Sequence, residues 1–132
     1  MARKVHDRLY IGDIGDASEP PSGVDAVVNL SATWTAATTR WHPLQDGRND
    51  PAAFAAAVWT VVREWDRGNA VLVSCQCGIS RSAVVCASAL RELTGAEWEA
   101  CMDRVREARP AVNPASGLVD VATDRPRIPP TE

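Results

Sequence analysis

Two stretches of this chain are apolar with no wet alternation. Residues 24–30 (VDAVVNL) form a β-branched run suited to a buried strand, and residues 70–74 (AVLVS) read as a strand covered on both faces. Between them, Asp50 and Pro51 mark a helix start: a capping side chain, then proline at the first helical position. Phe54, Val58, Val61, Val62 and Trp65 then mark one apolar face, and the predicted helix runs to about Arg67 before Gly68-Asn69 stops it. After residue 74 comes CQCGISRS, followed by an apolar helical stretch (AVVCASALREL) closed by Gly95.

The remaining pattern is weaker. Residues 8–12 (RLYIG) predict a short strand, and GDIGDASEPPSG after it reads as turns. Residues 31–40 are Thr/Ala-rich and irregular. A third strand is predicted over 39–44, ending near Pro43, and Gln45 to Asp50 is a loop. A further helix is predicted over 96–108, then turns (RPAVNPASG), then one short helix over 116–123. No internal repeat is visible. Strands and helices in this order predict an α/β fold, with a mostly parallel central sheet flanked by helices.

Composition narrows the function classes. The chain has 132 residues, of which 45% are hydrophobic, enough for one packed domain over 1–124; residues 125–132 are Pro-rich and expected as a disordered tail. The formal charge of −3 and the lack of a basic stripe interleaved with aromatics predict no nucleic-acid partner. No apolar run approaches the ~20 residues that span a bilayer, and MARKVHDRLY lacks a signal-peptide core, so no membrane partner and a cytoplasmic setting are expected. In that setting the cysteines (Cys75, Cys77, Cys86, Cys101) are expected to be reduced. Lys4 is the only lysine among the cations, which reads as codon bias.

The loop after the second buried strand carries the chemistry. A strand end leading into a helix start is where α/β proteins present ligand sites. Backbone N–H groups from Gln76, Cys77, Gly78, Ile79, Ser80 and Arg81 can converge on one point, and the helix beginning near Ser80 adds its positive end. Gly78 permits the tight turn that such an anion nest requires. Cys75 would place its sulfur at the base, where these donors and a guanidinium favour the thiolate. Arg81 offers a planar fork for two phosphate oxygens. Ser82 can donate a hydrogen bond to the sulfur. Phosphate or sulfate is therefore the expected occupant. A Cys and an Arg six positions apart also occur by chance; the preceding strand, the glycine, the following serine and the helix beyond make the pattern more specific.

At this point VLVSCQCGISRSAVVCASAL resembles the signature of the dual-specificity branch of the cysteine-dependent protein tyrosine phosphatase superfamily, HCxxGxxRS followed by an apolar helix. Cys75, Gly78, Arg81 and Ser82 match. RLYIGDIGDA, VDAVVNLS and VREARPAVNPASG resemble the family's first strand and turn, its second strand, and the helix-turn after the active site, so the similarity covers roughly residues 8–120. The resemblance implies a protein tyrosine phosphatase-like fold and a CX5R loop with a cysteine nucleophile. It also implies hydrolysis of phosphorylated proteins through a cysteinyl-phosphate, with no cofactor and no metal. One position departs: Ser74 stands where the family has a histidine that orients the loop, which implies a thiolate that forms less readily than is usual there.

Phosphoryl transfer to sulfur also needs a proton for the leaving oxygen. The chain has two histidines, His6 and His42, so a carboxylate is the natural candidate. Asp46, in WHPLQDG, resembles the family's acid in local sequence and in its distance before Cys75. Asp before Gly is also an ordinary turn former, and Asp50 reads better as the helix cap. Cys77 could pair with Cys75 as a redox brake, at a strained spacing. Cys86 and Cys101 fall on predicted helices as core side chains; a zinc site joining them to the CxC pair matches no usual spacing. Trp34 and Trp41 lie in segments that could rim the pocket, while Trp59 and Trp65 read as packing. The alternative to catalysis is a pseudophosphatase that binds phosphorylated partners without turnover, and Ser74 is the feature that favours it.

Overall fold

A computed structural model describes residues 1–124, and the predicted tail at 125–132 lies outside the described residues. The elements in chain order are β1 (Arg3–His6), β2 (Leu9–Gly12), α1 (Ile14–Ser18), β3 (Ala26–Asn29), β4 (Arg40–Trp41), α2 (Pro51–Asp66), β5 (Val71–Ser74), α3 (Arg81–Thr94), α4 (Trp98–Ala108) and α5 (Ser116–Asp124).

The two unbroken apolar runs sit at the middle of the sheet. Every residue of β3 and β5 is buried, and the two strands pair in parallel with Val28 opposite Val73. β2 pairs with the other edge of β5 in parallel, β4 adds to β3 in parallel, and β1 closes the far edge antiparallel to β2. The order is β1-β2-β5-β3-β4, a mostly parallel sheet as predicted. Alternation then sorts the strand side chains. Val71 and Val73 join the larger core beneath α2, α3, α4 and α5, while Leu72 joins a small cluster with Ala17 of α1 and Val27. Helix α3 is buried at every position from Ser82 to Leu90, as expected of a helix that is apolar all round and packs against both α2 and α4.

Helix α2 starts as its sequence dictates. The Asp50 carboxylate accepts from the Ala53 N–H at 3.2 Å and Pro51 occupies the first turn. Two expectations need correction, and one strand went unread. Residues 14–18, read as turn, form α1, because Asp13 and Asp16 make a reciprocal capping box at 2.9 and 3.0 Å. Strand β1 escaped the pattern because only Val5 of its residues is buried. The strand predicted over 39–44 is reduced to Arg40–Trp41, since Pro43 has no N–H to give the ladder. Backbone bonds from His42 to Asn29 (2.9 Å) and from Leu44 to Leu30 (3.0 Å) nevertheless carry the chain alongside β3 toward Asp46.

The hairpin between β1 and β2 turns at Arg8, whose φ of 58° is left-handed. Its guanidinium lies 4.1 Å from the Trp65 ring centroid and donates to the carbonyls of Trp65 and Asn69 at 2.9 and 3.1 Å. Trp65 thus packs as predicted. Among the described residues no helix is long and apolar enough to cross a membrane.

Candidate functional site

All four parallel strands end on one side of the molecule, and the loop after β5 opens there. Cys75 is 2% exposed, so its sulfur sits at the floor rather than on the surface. Three groups close on that sulfur: the Ser82 hydroxyl at 3.2 Å, the Gly78 N–H at 3.3 Å and the Ser82 N–H at 3.4 Å. Two of the three come from the first turn of α3, the end of a helix that carries partial positive charge. Donors arranged in this way stabilise negative charge on sulfur.

The loop owes its shape to close backbone approach. Gly78 has φ +72°, and a Cβ there would lie 2.7 Å from the Gly12 carbonyl oxygen, so only glycine fits. Three carbonyls of the loop are tied to their surroundings. The Gln76 carbonyl accepts from the Ile14 N–H at 3.2 Å and the Ile79 carbonyl from the Asn113 N–H at 2.8 Å. The Cys77 carbonyl accepts from the Arg109 guanidinium at 3.2 Å.

A cavity of about 250 Å³ opens above the sulfur, lined by Asp46, Cys75, Cys77, Ile79, Ser80, Arg81 and Asn113. Arg81 anchors one nitrogen on the Leu44 carbonyl at 3.1 Å, while its Nε is buried and has no partner among the described residues. That N–H is a donor available to an oxyanion in the cavity. Asp46 stands on the opposite side of the loop, joined to it by the Ser80 hydroxyl at 2.5 Å. The fold therefore brings Cys75, Arg81, Ser82, Asp46 and the loop residues together.

The prediction missed Asn113, which lines the cavity, and Arg109, which braces the loop; both lie in the RPAVNP turn, and that turn was the available signal. Trp34 and Trp41 do not line the cavity: Trp34 is exposed, and the Trp41 indole N–H is turned to the Ser31 carbonyl at 2.8 Å. Ser74 is fully buried on the α1 side of β5, and its hydroxyl has no partner among the described residues. Among the described residues no cysteine is in a disulfide. Cys86, beneath the site, is a core side chain as expected: burial, and secondarily the charge of Cys75, push its thiol far above the ordinary range. It is therefore a neutral neighbour of the sulfur. Among the described residues no three His, Cys, Asp or Glu side chains gather as a metal site.

Comparison with known proteins agrees with this geometry. Residues 9–121 match the family model of the dual specificity phosphatase catalytic domain. The chain is 27% identical over 121 residues to "Putative tyrosine phosphatase 123R" of Invertebrate iridescent virus 6, covering 88% of this chain and 85% of the viral one. It superposes on the crystal structure of human DUSP28 with a TM-score of 0.79 and 25% identity, over 93% of this chain and 90% of that one. It also shares its fold with a mouse "putative dual specificity phosphatase complexed with zinc tungstate", at a TM-score of 0.82 and 23% identity, over 93% and 84% of the two chains.

Proposed function

We take as premise that this chain belongs to the dual specificity phosphatase catalytic-domain family, and is a hydrolase of that class, and we propose how its own residues carry the reaction. The observation that carries the reading is one cavity with the Cys75 sulfur on its floor, the Arg81 guanidinium on one wall and the Asp46 carboxyl on another.

In the first step the Cys75 thiolate attacks phosphorus in line with the leaving oxygen. The S–P bond forms, the P–O bond breaks, and Asp46 gives its proton to the departing alkoxide or phenoxide. Arg81 Nε and the backbone N–H groups of Gln76, Cys77, Ile79, Ser80 and Arg81 hold the non-bridging oxygens and neutralise their charge. In the second step water attacks phosphorus and returns a proton to Asp46, and sulfur departs as thiolate. Ser82 eases that departure, since its hydroxyl lies 3.2 Å from the sulfur.

The cavity supports one substrate class over others. At about 250 Å³ it is small beside ligand pockets of roughly 300–1,000 Å³, which suits a phosphorylated side chain reached from a protein surface. In this reading phosphotyrosine and phosphoserine or phosphothreonine are both substrates. The loop holds no lysine to pair with further phosphates, which favours phosphoproteins over phosphoinositides. The lack of disulfides among the described residues and the thiolate chemistry fit a reducing, cytoplasmic setting.

Release of phosphate from p-nitrophenyl phosphate tests the reading, with Cys75→Ser as control. Turnover by the wild type and its loss in the mutant are expected. Equal turnover by both would end the covalent mechanism, and binding without turnover would make the chain a phosphate reader instead.

A further inference from the structure

Ser80 occupies the residue before α3, where a serine ordinarily turns its hydroxyl onto the helix's own first N–H groups. Here it makes no such bond. Its oxygen instead accepts from the Ala115 N–H at 3.0 Å and lies 2.5 Å from Asp46 Oδ1. The arrangement has a direction. An amide can only donate, so the Ala115 bond uses an acceptor site of the hydroxyl and leaves its single proton for another partner. Ser80 is 7% exposed, and among the described residues its acceptor is Asp46 Oδ1; a hydroxyl proton with no acceptor in so buried a place would be costly.

We propose that Ser80 is a positioning residue for the acid: by donating to Asp46 Oδ1 it confines the carboxyl proton to Oδ2 and holds that oxygen toward the substrate. The inference rests on the assignment of Asp46 as acid in the preceding section. A carboxylic acid can carry its proton on either oxygen, and only the one facing the leaving group is productive. An Oδ1 that already accepts a short bond is the poorer site for the proton. Ser80 also fixes the carboxyl plane, because Ala115 holds the hydroxyl from the other side. Ala115 precedes α5, whose Gly117 packs so closely on the Gly47–Arg48 backbone that a Cβ there would lie 2.9 Å from the Arg48 nitrogen. The start of α5 thus touches Asp46 through Ser80 and touches its loop directly. A second consequence concerns the helix: the N–H groups that Ser80 leaves uncapped belong to the first turn of α3, from which Ser82 N–H reaches the sulfur. The same diversion that orders the acid frees donors for the nucleophile's side of the site.

The test compares turnover of an activated aryl phosphate with that of phenyl phosphate, which needs the proton more. Ser80→Ala is expected to widen the ratio of the two rates by roughly tenfold, part of the ~100-fold or more that a placed acid supplies. Ser80→Thr, which keeps the hydroxyl, is expected to restore the wild-type ratio. In the background of Asp46→Asn, Ser80→Ala is expected to leave the ratio where Asp46→Asn alone puts it, because the two residues act as one unit. Three results would overturn the proposal: equal loss on both substrates, no recovery with threonine, or a full additional tenfold in the Asp46→Asn background. The assignment of Asp46 itself fails separately, if Asp46→Asn leaves the ratio unchanged. Circular dichroism of each variant reports whether it is folded, and the threonine variant carries the test if alanine does not fold.

Discussion

The two loops that meet at the cavity are built on opposite terms. The nucleophile loop is packed into the molecule apart from its exposed Gln76 and Cys77: Cys75, Gly78, Ser80 and Ser82 are buried, and three of its carbonyls are tied to Ile14, Arg109 and Asn113. The acid loop lies outside, with Gln45, Asp46 and Arg48 exposed. It is shaped by the Asn49 side chain, which receives from the Gln45 N–H and donates to the carbonyls of Gln45 and Gly47. Toward the core it is held by Ser80 and by contact with Gly117. A nucleophile that must sit at one depth beneath the phosphate is served by rigidity. An acid that must meet leaving groups of different size is served by a few bonds that fix its direction and leave the rest of its loop in solvent. The difference predicts that changes in the first loop cost stability, and that changes in the second cost turnover.

The largest effect is expected from Asp46→Asn, which keeps the shape of the acid loop and removes its proton. Turnover of phenyl phosphate should fall by roughly 10²–10⁴-fold, with a much smaller loss on activated aryl phosphates, as steady-state rates with both would show. Equal losses would place Asp46 in binding rather than in proton transfer. Gly117→Ala comes next. Its Cβ would meet the Gly47–Arg48 backbone, so the loop must shift, and misplacing an acid by about an ångström costs up to roughly 100-fold in rate. Because the loop that must give way is exposed, the loss of stability in urea unfolding should be smaller than that of Gly78→Ala. A large loss of stability would mean that the acid loop is as structural as its partner.

Gly78→Ala tests the other side. At φ +72° and 2.7 Å from the Gly12 carbonyl, the added methyl forces the loop off β2, and an expected cost of about 1–3 kcal/mol should appear in the unfolding midpoint. A stability within error of the wild type would show that the nucleophile loop yields easily. The smallest effect concerns His42, just after β4 on the way to the acid loop. Burial, and then the charge of Arg40, hold its pKa below the ordinary 6.5, and its ring bonds the Thr60 hydroxyl at 2.9 Å. The unfolded chain therefore takes up the proton first. This contribution to stability is flat above pH 6.5, declines as pH falls through the interval below it, and levels off once the folded-state pKa is passed. His42→Gln should remove that part of the pH dependence in unfolding measurements between pH 5 and 7 (a buffer range chosen around the ordinary histidine value).

These contrasts also explain which features could be read from the chain. Strands β3 and β5 and helix α3 were legible because burial on all sides leaves unbroken apolar runs, and the nucleophile loop was legible because it lies between two of them. Asp46 was legible through its neighbours rather than its environment. Strand β1 was hidden because one buried valine makes no pattern, and α1 because a five-residue helix held by a capping box has no period to show. Arg109 and Asn113 stand more than 30 positions from Cys75, and only the packing of the chain after α4 brings them to the loop. The role argued for Ser80 is invisible in the sequence, where a serine before a helix reads as an ordinary cap.

The central claim, that Cys75 itself takes up the phosphoryl group, is tested most directly by acid-quenching the enzyme during turnover of p-nitrophenyl phosphate and mapping the mass of its peptides. The account predicts one added phosphoryl group on the peptide that carries Cys75, and none on that peptide in Cys75→Ser. Turnover that persists in Cys75→Ser, with no adduct on the wild-type peptide, would contradict it.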